Sequence, residues 1–236
     1  MSDDDYASDI LLIFRLGLED IMSSNWKQMR LIDVIQKTET INPLKTPEFS
    51  FQYVDVSSIC NKRFAIQETS TILGKDAPSR ARKLIRTGDV LFATVRPTLK
   101  RIAQVPKHLD KNICSTGYFV LRPKDFVEGK FLFYFLFTTN FMGAMEQLQK
   151  GASYPAVNDG EVSSQNILIP PLSEQKRIVS IVDEAFEGID RAIANTEKKL
   201  SALKELKQSI LQKAFTGELT ADTNNQTIKT TEEAIS

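Results

Sequence analysis

Few residues in this sequence are of a type and spacing that could do covalent chemistry. Glu128-Gly129-Lys130, with Asp125 three positions ahead, has the D/E-x-K form that holds Mg²⁺ and positions water in many DNA-cleaving enzymes. Triplets of this kind arise often by chance, and Glu205-Leu206-Lys207 is another. The single histidine, His108, lies in a polar stretch with Lys107, Asp110 and Lys111, where a solvated loop side chain is the ordinary reading. A Ser-His-Asp or Cys-His arrangement would have to use it, and nothing nearby supports one. None of the ten glycines has another two positions away, so G-x-G-x-x-G is absent, as is a G-x-x-x-x-G-K-[ST] phosphate loop. Cys60 and Cys114 are too few for a disulfide framework or a structural zinc. The residues favour a binder over an enzyme, with no catalytic residue and no metal ligand.

Charge carries the stronger signal. Thirty Lys+Arg balance thirty Asp+Glu across 236 residues, but the two signs are segregated. Residues 1–24 hold six acids and one base, a net −5. Residues 62–111 hold twelve bases and four acids, a net +8. Such a segment suits a polyanion, because lysine and arginine neutralise phosphates and release counterions. Arginine can also hold guanine bidentately in the major groove. Arg80, Arg82, Lys83 and Arg86 form one cluster ahead of a strand, and Arg96, Lys100 and Arg101 another in the loop after it. The alternative is a solvated face with ordinary ion pairs.

These clusters must be positioned by a folded scaffold. Hydrophobic residues at 42% and charged residues at 25% are an ordinary globular balance. Asp89–Val95, Gly117–Leu121 and Asn166–Ile169 are apolar or β-branched runs bounded by Gly or Pro, and read as strands. Phe126–Gln149 has apolar residues at helical spacing and reads as one or two helices with a buried aromatic face. The domain expected over 25–170 is therefore of the α/β (α+β) class. The longest apolar runs, Ile10–Phe14 and Phe131–Phe137, fall far short of the roughly 20 residues that span a bilayer. With an acidic N-terminus and two cysteines, a soluble cytoplasmic protein is expected. Residues 8–22 read as a docking helix within a 1–24 extension, with a membrane-surface anchor as the alternative. Residues 218–236 read as a disordered tail.

A different pattern occupies 171–217. Ser173 reads as a capping residue after Pro170-Pro171, and Gly217 as the stop. Between them Ile178, Val182, Ala185, Ile189, Ala192, Thr196, Leu203, Leu206 and Ile210 fall in steps of 3 and 4, or 7 where Lys199 interrupts. Phe186, Ile193 and Leu200 make a second stripe seven residues apart. Such a seam calls for a second long helix, which this sequence lacks, so a partner chain is expected to supply it in a coiled coil. The alternative is a helix broken in the middle and folded back.

Several of these segments occur in an order with a precedent. Trp26-Lys-Gln-Met-Arg-Leu-Ile-Asp-Val is followed by Gly88–Pro97, Ser115–Pro123 and Gly151-Ala-Ser-Tyr-Pro-Ala-Val-Asn158. The most specific piece is Ile169-Pro-Pro-Leu-Ser-Glu-Gln-Lys-Arg-Ile-Val179, leading into the long helix. From Trp26 to Leu219 the chain resembles the DNA-specificity subunits of type I restriction-modification systems. The resemblance implies a target recognition domain for double-stranded DNA, a long helix that packs antiparallel on another, and docking to methyltransferase (M) and restriction (R) subunits. It also implies no catalytic site here, with S-adenosylmethionine held by the methyltransferase partner. Full subunits of that family carry two recognition domains and two long helices; one of each is present here. The expected assembly is a homodimer reading an interrupted palindrome. A non-catalytic remnant, or a coiled-coil interaction protein with an incidental basic face, is the alternative.

Individual contacts transfer poorly within such a family, so the expected DNA-binding residues rest on charge and position. Arg96, Lys100 and Arg101 are expected at the groove, and Arg80, Arg82 and Lys83 at phosphate. Lys150, Ser153, Tyr154 and Asn158 belong to a loop that offers a stacking ring and polar groups, or else a structural turn. Lys62 and Arg63 are weaker candidates.

Overall fold

The computed structural model describes residues 25–151 and 153–219. The expected docking helix within 1–24 and the expected tail beyond residue 219 lie outside them. The chain divides into two units, residues 1–179 and 180–236.

The first unit begins with β1 (Lys27–Arg30), a single helical turn α1 (Leu31–Val34) and β2 (Ile35–Gln36). Short strands follow: β3 (Ser50–Val54), β4 (Ile59–Cys60), β5 (Ala65–Ile66), β6 (Ser70–Leu73) and β7 (Ala81–Leu84). Next come β8 (Val90–Ala93), β9 (Ile102–Gln104), β10 (Ile113–Ser115) and β11 (Tyr118–Pro123). The unit is completed by α2 (Gly129–Phe135), α3 (Thr139–Leu148), α4 (Asp159–Ser163), β12 (Asn166–Ile169) and the first two turns of α5 (Leu172–Thr216). Four strands form an antiparallel sheet in the order β2-β11-β8-β9. Four others form a mixed sheet, β6-β3-β10-β7, in which only β3 and β10 run parallel.

Strand β8 explains why this part of the sequence is apolar at every position. Val90 and Phe92 join the core shared with α2 and α3, whereas Leu91 and Ala93 join one shared with β10 and β11. Successive strand residues point to opposite faces, so burying both faces requires a continuous apolar run. On the helix side Phe92 meets Phe141 edge-on, with centroids 5.4 Å apart. The aromatic stripe of 126–149 is thus largely core, in two helices that separate where the Thr138 hydroxyl caps α3.

The expected run of bases before β8 is itself a strand. β7 carries Arg82 and Lys83 and pairs with β10. Burial also sorts the two cysteines. Cys114 on β10 is fully buried, which pushes its thiol up to about 12. Cys60 is half-buried, and the backbone N–H groups of Lys62 and Arg63 beside it favour the thiolate and hold the thiol below its ordinary range. A chromogenic disulfide reagent should therefore titrate Cys60 in the native protein and Cys114 only in denaturant. Equal rates for both thiols would contradict that burial.

The ends of the unit meet. β1 pairs antiparallel with β12, placing Lys27 opposite Ile169. Beside this pair the Trp26 indole N–H donates to Glu174 Oε1 at 3.2 Å. The fully buried Gln175 amide accepts from the Glu128 N–H at 2.8 Å and donates to the carbonyls of Phe126 (3.0 Å) and Pro170 (2.8 Å). All three partners are backbone groups that burial would otherwise leave unsatisfied. The Pro-Pro-Leu-Ser-Glu-Gln segment is therefore a joint as well as a helix start. The helix opens at Leu172, one residue before the expected cap, with Pro171 accepting from the Glu174 and Gln175 N–H groups.

Helix α5 is unbroken over 45 residues, about 68 Å at the α-helical rise. It ends where Gly217 turns left-handed, with φ +79°. Within the first unit Ile178 is half-buried. In the second unit Val182 and Ala185 are half-buried, while Ile189, Ala192, Thr196, Leu203, Leu206 and Ile210 are exposed. The Thr196 hydroxyl donates to the Ala192 carbonyl, so its polar group is spent within the helix. Phe186, Ile193 and Leu200 are exposed as well. Among the described residues no helix is long and apolar enough to cross a membrane.

Candidate nucleic-acid interface

A cleft of about 600 Å³ opens between the loop after β8 and the loop joining α3 to α4, with Arg80, Arg96, Arg101, Tyr154, Thr116 and Asp55 among its walls. Three arginines face one carboxylate there. The loop after β8 is a 3₁₀ turn, Pro97–Leu99, flanked by Arg96 (φ 50°) and Lys100 (φ 52°). Non-glycine residues pay roughly 1–2 kcal/mol for left-handed backbone and keep it only where surrounding bonds demand it. Those bonds are visible. The Arg96 N–H donates to the Pro155 carbonyl at 2.7 Å, the Val157 N–H to Thr94 at 2.9 Å and the Lys100 N–H to Pro97 at 2.9 Å. Buried Pro97 anchors the turn.

The second loop is strapped to the first. Val95 bridges Ala156, and Lys150 and Ala156 exchange both backbone hydrogen bonds at 2.9 Å. Gly151 makes the tight return, with φ +102°, and a Cβ there would lie 3.0 Å from the Tyr154 carbonyl oxygen. The two ends of this loop are thus tied together at Lys150 and Ala156. At its tip Tyr154 is 71% exposed, with the Arg96 guanidinium 4.9 Å from its ring centroid.

The cationic candidates divide by what they already hold. Arg80, Arg82, Arg96, Lys100 and Arg101 form no ion pair among the described residues. Arg82 bonds the Ala81 carbonyl at 2.8 Å, Arg101 the Val56 carbonyl at 3.1 Å and Arg96 the Ser153 carbonyl at 3.2 Å. Carbonyls orient a guanidinium without cancelling its charge. Lys83 differs: its ammonium meets Asp159 at 2.7 Å and the Tyr118 carbonyl at 2.6 Å, with a side chain only 15% exposed. Lys150 pairs with Glu161 at 3.1 Å. The Asn158 side-chain oxygen accepts from the Glu161 N–H at 2.8 Å and caps α4. Exposed Lys62 and Arg63 follow β4. The structure therefore gathers Arg80, Arg96, Arg101 and Tyr154, puts Lys100 at the end of the same turn, and gives Lys83, Lys150 and Asn158 structural partners.

Two features escaped sequence reasoning. Asp55, in the cleft wall, caps the turn Val56–Ser58, and Asp55-x-x-Ser58 is legible as a capping box. The other is a buried ion pair. Arg122 donates from Nε and Nη2 to the two Asp89 oxygens at 2.8 and 2.9 Å, and from Nη1 to Glu39 at 2.7 Å. Among the described residues no three His, Cys, Asp or Glu side chains gather as a metal site.

Residues 23–205 match the family model of the type I restriction modification DNA specificity domain. The chain belongs to that family. This specificity-domain chain is 46% identical to the HsdS subunit of Thermoanaerobacter tengcongensis, whose crystal structure superposes with a TM-score of 0.65, covering 72% of this chain and 44% of that one. A second structure, of the type I R-M system in complex assembly and conformational transition, is 43% identical with a TM-score of 0.69, covering 75% and 47%. The HindI specificity subunit of Haemophilus influenzae is 27% identical over 81% of this chain. The specificity-domain chain spans 41% of that relative's length, less than half. The α/β fold and long helix expected from the sequence are those of the HsdS structures.

Proposed function

We propose that this chain is a DNA-recognition subunit of a type I restriction-modification complex, reading double-stranded DNA through residues 25–170. What carries the reading is the cleft: three arginines that have no carboxylate partner among the described residues, in a member of the DNA-specificity family. Phosphate neutralisation by such side chains supplies salt-sensitive affinity, and base contacts supply selectivity. The helix of 171–217 pairs with the same helix of a second copy. Two copies related by a two-fold axis bind two inverted half-sites, an interrupted palindrome. The chain itself does no catalysis. It directs methyltransferase subunits, which hold S-adenosylmethionine, and restriction subunits to the site, in the cytoplasm. The exposed apolar stripe of α5 supports the pairing, because such side chains gain about 1.5–3 kcal/mol each on burial.

The test is selection from random duplexes with the purified chain, with the mass of the bound complex measured by light scattering. An inverted repeat with a fixed spacer, bound by two copies, is the expected result. Failure to enrich any sequence would leave the remnant or interaction-protein reading in its place. Arg80→Ala and Arg101→Ala should each weaken binding on every duplex and lower the logarithmic salt slope by about one per half-site. An unchanged slope would remove that residue from the phosphate contacts.

A further inference from the structure

We propose that Arg96 is the guanine-reading residue of the half-site, and that the Tyr154 ring and the Ser153 carbonyl are the support that aims it. The proposal rests on the DNA-recognition reading above and names the base and the residues that read it. Among the cleft arginines, Arg96 combines a left-handed backbone with a guanidinium held by both a ring and a carbonyl. Its backbone sits in the left-handed region, at φ 50°, on a position fixed by the bond from its N–H to Pro155 and from the Leu99 N–H to its carbonyl. Its guanidinium lies 4.9 Å from the Tyr154 ring centroid and spends one of five N–H donors on the Ser153 carbonyl at 3.2 Å. A guanidinium carbon over the ring, with one N–H on a carbonyl, leaves N–H donors free for a planar acceptor pair. No ion pair holds it among the described residues, so its charge is uncompensated. A fork held over a ring, with no ion pair among the described residues, matches the O6/N7 edge of guanine in the major groove, the arrangement arginine reads best. A phosphate contact would not require such preorganisation, because a mobile lysine meets a phosphate as a point charge.

Tyr154 acts through Arg96. Its ring is 71% exposed and so contributes little to the core, yet its loop is closed by the Lys150–Ala156 bridge and by Gly151 at φ +102°. An exposed aromatic over a guanidinium, on a loop whose ends are bridged, serves as a platform.

The experiment measures base preference in the half-site consensus of the wild-type chain, then repeats it for Arg96→Lys, Tyr154→Ala and Tyr154→Phe, with thermal melting as the folding control. Arg96→Lys keeps the charge and a side chain of similar reach but removes the fork and the stack. It should lose about 5- to 150-fold of discrimination at one G·C pair per half-site, with the salt slope retained. Tyr154→Ala should weaken preference at that same pair, and Tyr154→Phe, which keeps the ring, should restore it. If Arg96→Lys and Tyr154→Ala lower affinity evenly on all duplexes while every consensus position keeps its preference, the proposal is overturned. The same holds if the lost preference falls at an A·T pair. A wild-type chain that selects no sequence defeats the DNA-recognition reading and this proposal together, whereas the preceding outcomes defeat the proposal alone.

Discussion

Asp89→Ala should cost the fold about 3–5 kcal/mol, measured by urea unfolding at neutral pH. The Asp89 side chain is 1% exposed and accepts two bonds from Arg122 and one from the Arg86 backbone N–H at 2.8 Å. Its removal leaves the Arg122 guanidinium, itself nearly buried, with Glu39 as its remaining carboxylate. An uncompensated buried charge costs more than the intact pair contributes, so replacing both partners by apolar residues of similar volume should recover most of the loss. A cost below 1 kcal/mol would mean that water or a rearranged side chain rescues Arg122. Glu39 adds a pH signature. The hydrogen bond from Arg122 holds its carboxyl below the ordinary carboxylate range. A carboxylate with a depressed folded-state pKa stabilises above its unfolded pKa, and that contribution is lost as pH falls through the folded value. Acidification through about pH 4 and below should therefore erode stability in the wild type, and less steeply in Glu39→Gln.

The second large effect belongs to the long helix. Leu203→Glu together with Leu206→Glu should convert the proposed dimer to monomer at every practical concentration. Both leucines are more than half exposed in the single chain, and pairing would cover them. Symmetry doubles each change, so the two substitutions remove four buried leucines. At roughly 1.5–3 kcal/mol apiece the loss is about 6–12 kcal/mol, before any cost of burying glutamates. A micromolar dimer is held by only about 8 kcal/mol. Sedimentation equilibrium decides the matter: a wild-type monomer at micromolar concentration, or a doubly substituted dimer, would refute pairing through this seam. On the proposed reading, the monomeric variant should still bind DNA through the cleft, with a shallower salt slope because half the phosphates are contacted.

The parts of the fold legible in the sequence are those whose signal is local. β8, β11 and β12 are apolar runs closed by Gly or Pro, and the helices of 129–148 and 172–216 keep their period over many residues. β7 was hidden because it carries Arg82 and Lys83 and reads as a charge run. Its partner β10 lies about thirty residues on, and β10 in turn pairs with β3 some sixty residues back, with Ile113 opposite both Leu84 and Tyr53. No local window contains such a pairing. The same limit applies to the cleft. Charge pointed to Arg80, Arg96 and Arg101, and equally to Lys83 and Lys150. Only the folded chain shows Asp159 beside Lys83 and Glu161 beside Lys150. Composition counts charges without saying which are already answered. Gln175 carried the opposite ambiguity: an uncharged residue in a polar helix start, it became one of the most deeply buried side chains because three backbone groups needed it.

The pairing of β1 with β12 has an evolutionary consequence. A globule whose first and last strands are zipped side by side enters and leaves the polypeptide at one doorway. An exchange of everything inside that doorway keeps the globule whole only if the helix start goes with it, because Glu174 and Gln175 bond Trp26, Phe126 and Glu128. The exchangeable piece is therefore longer than the span between the two strands and reaches Val179, where the first two turns of the helix finish closing the globule.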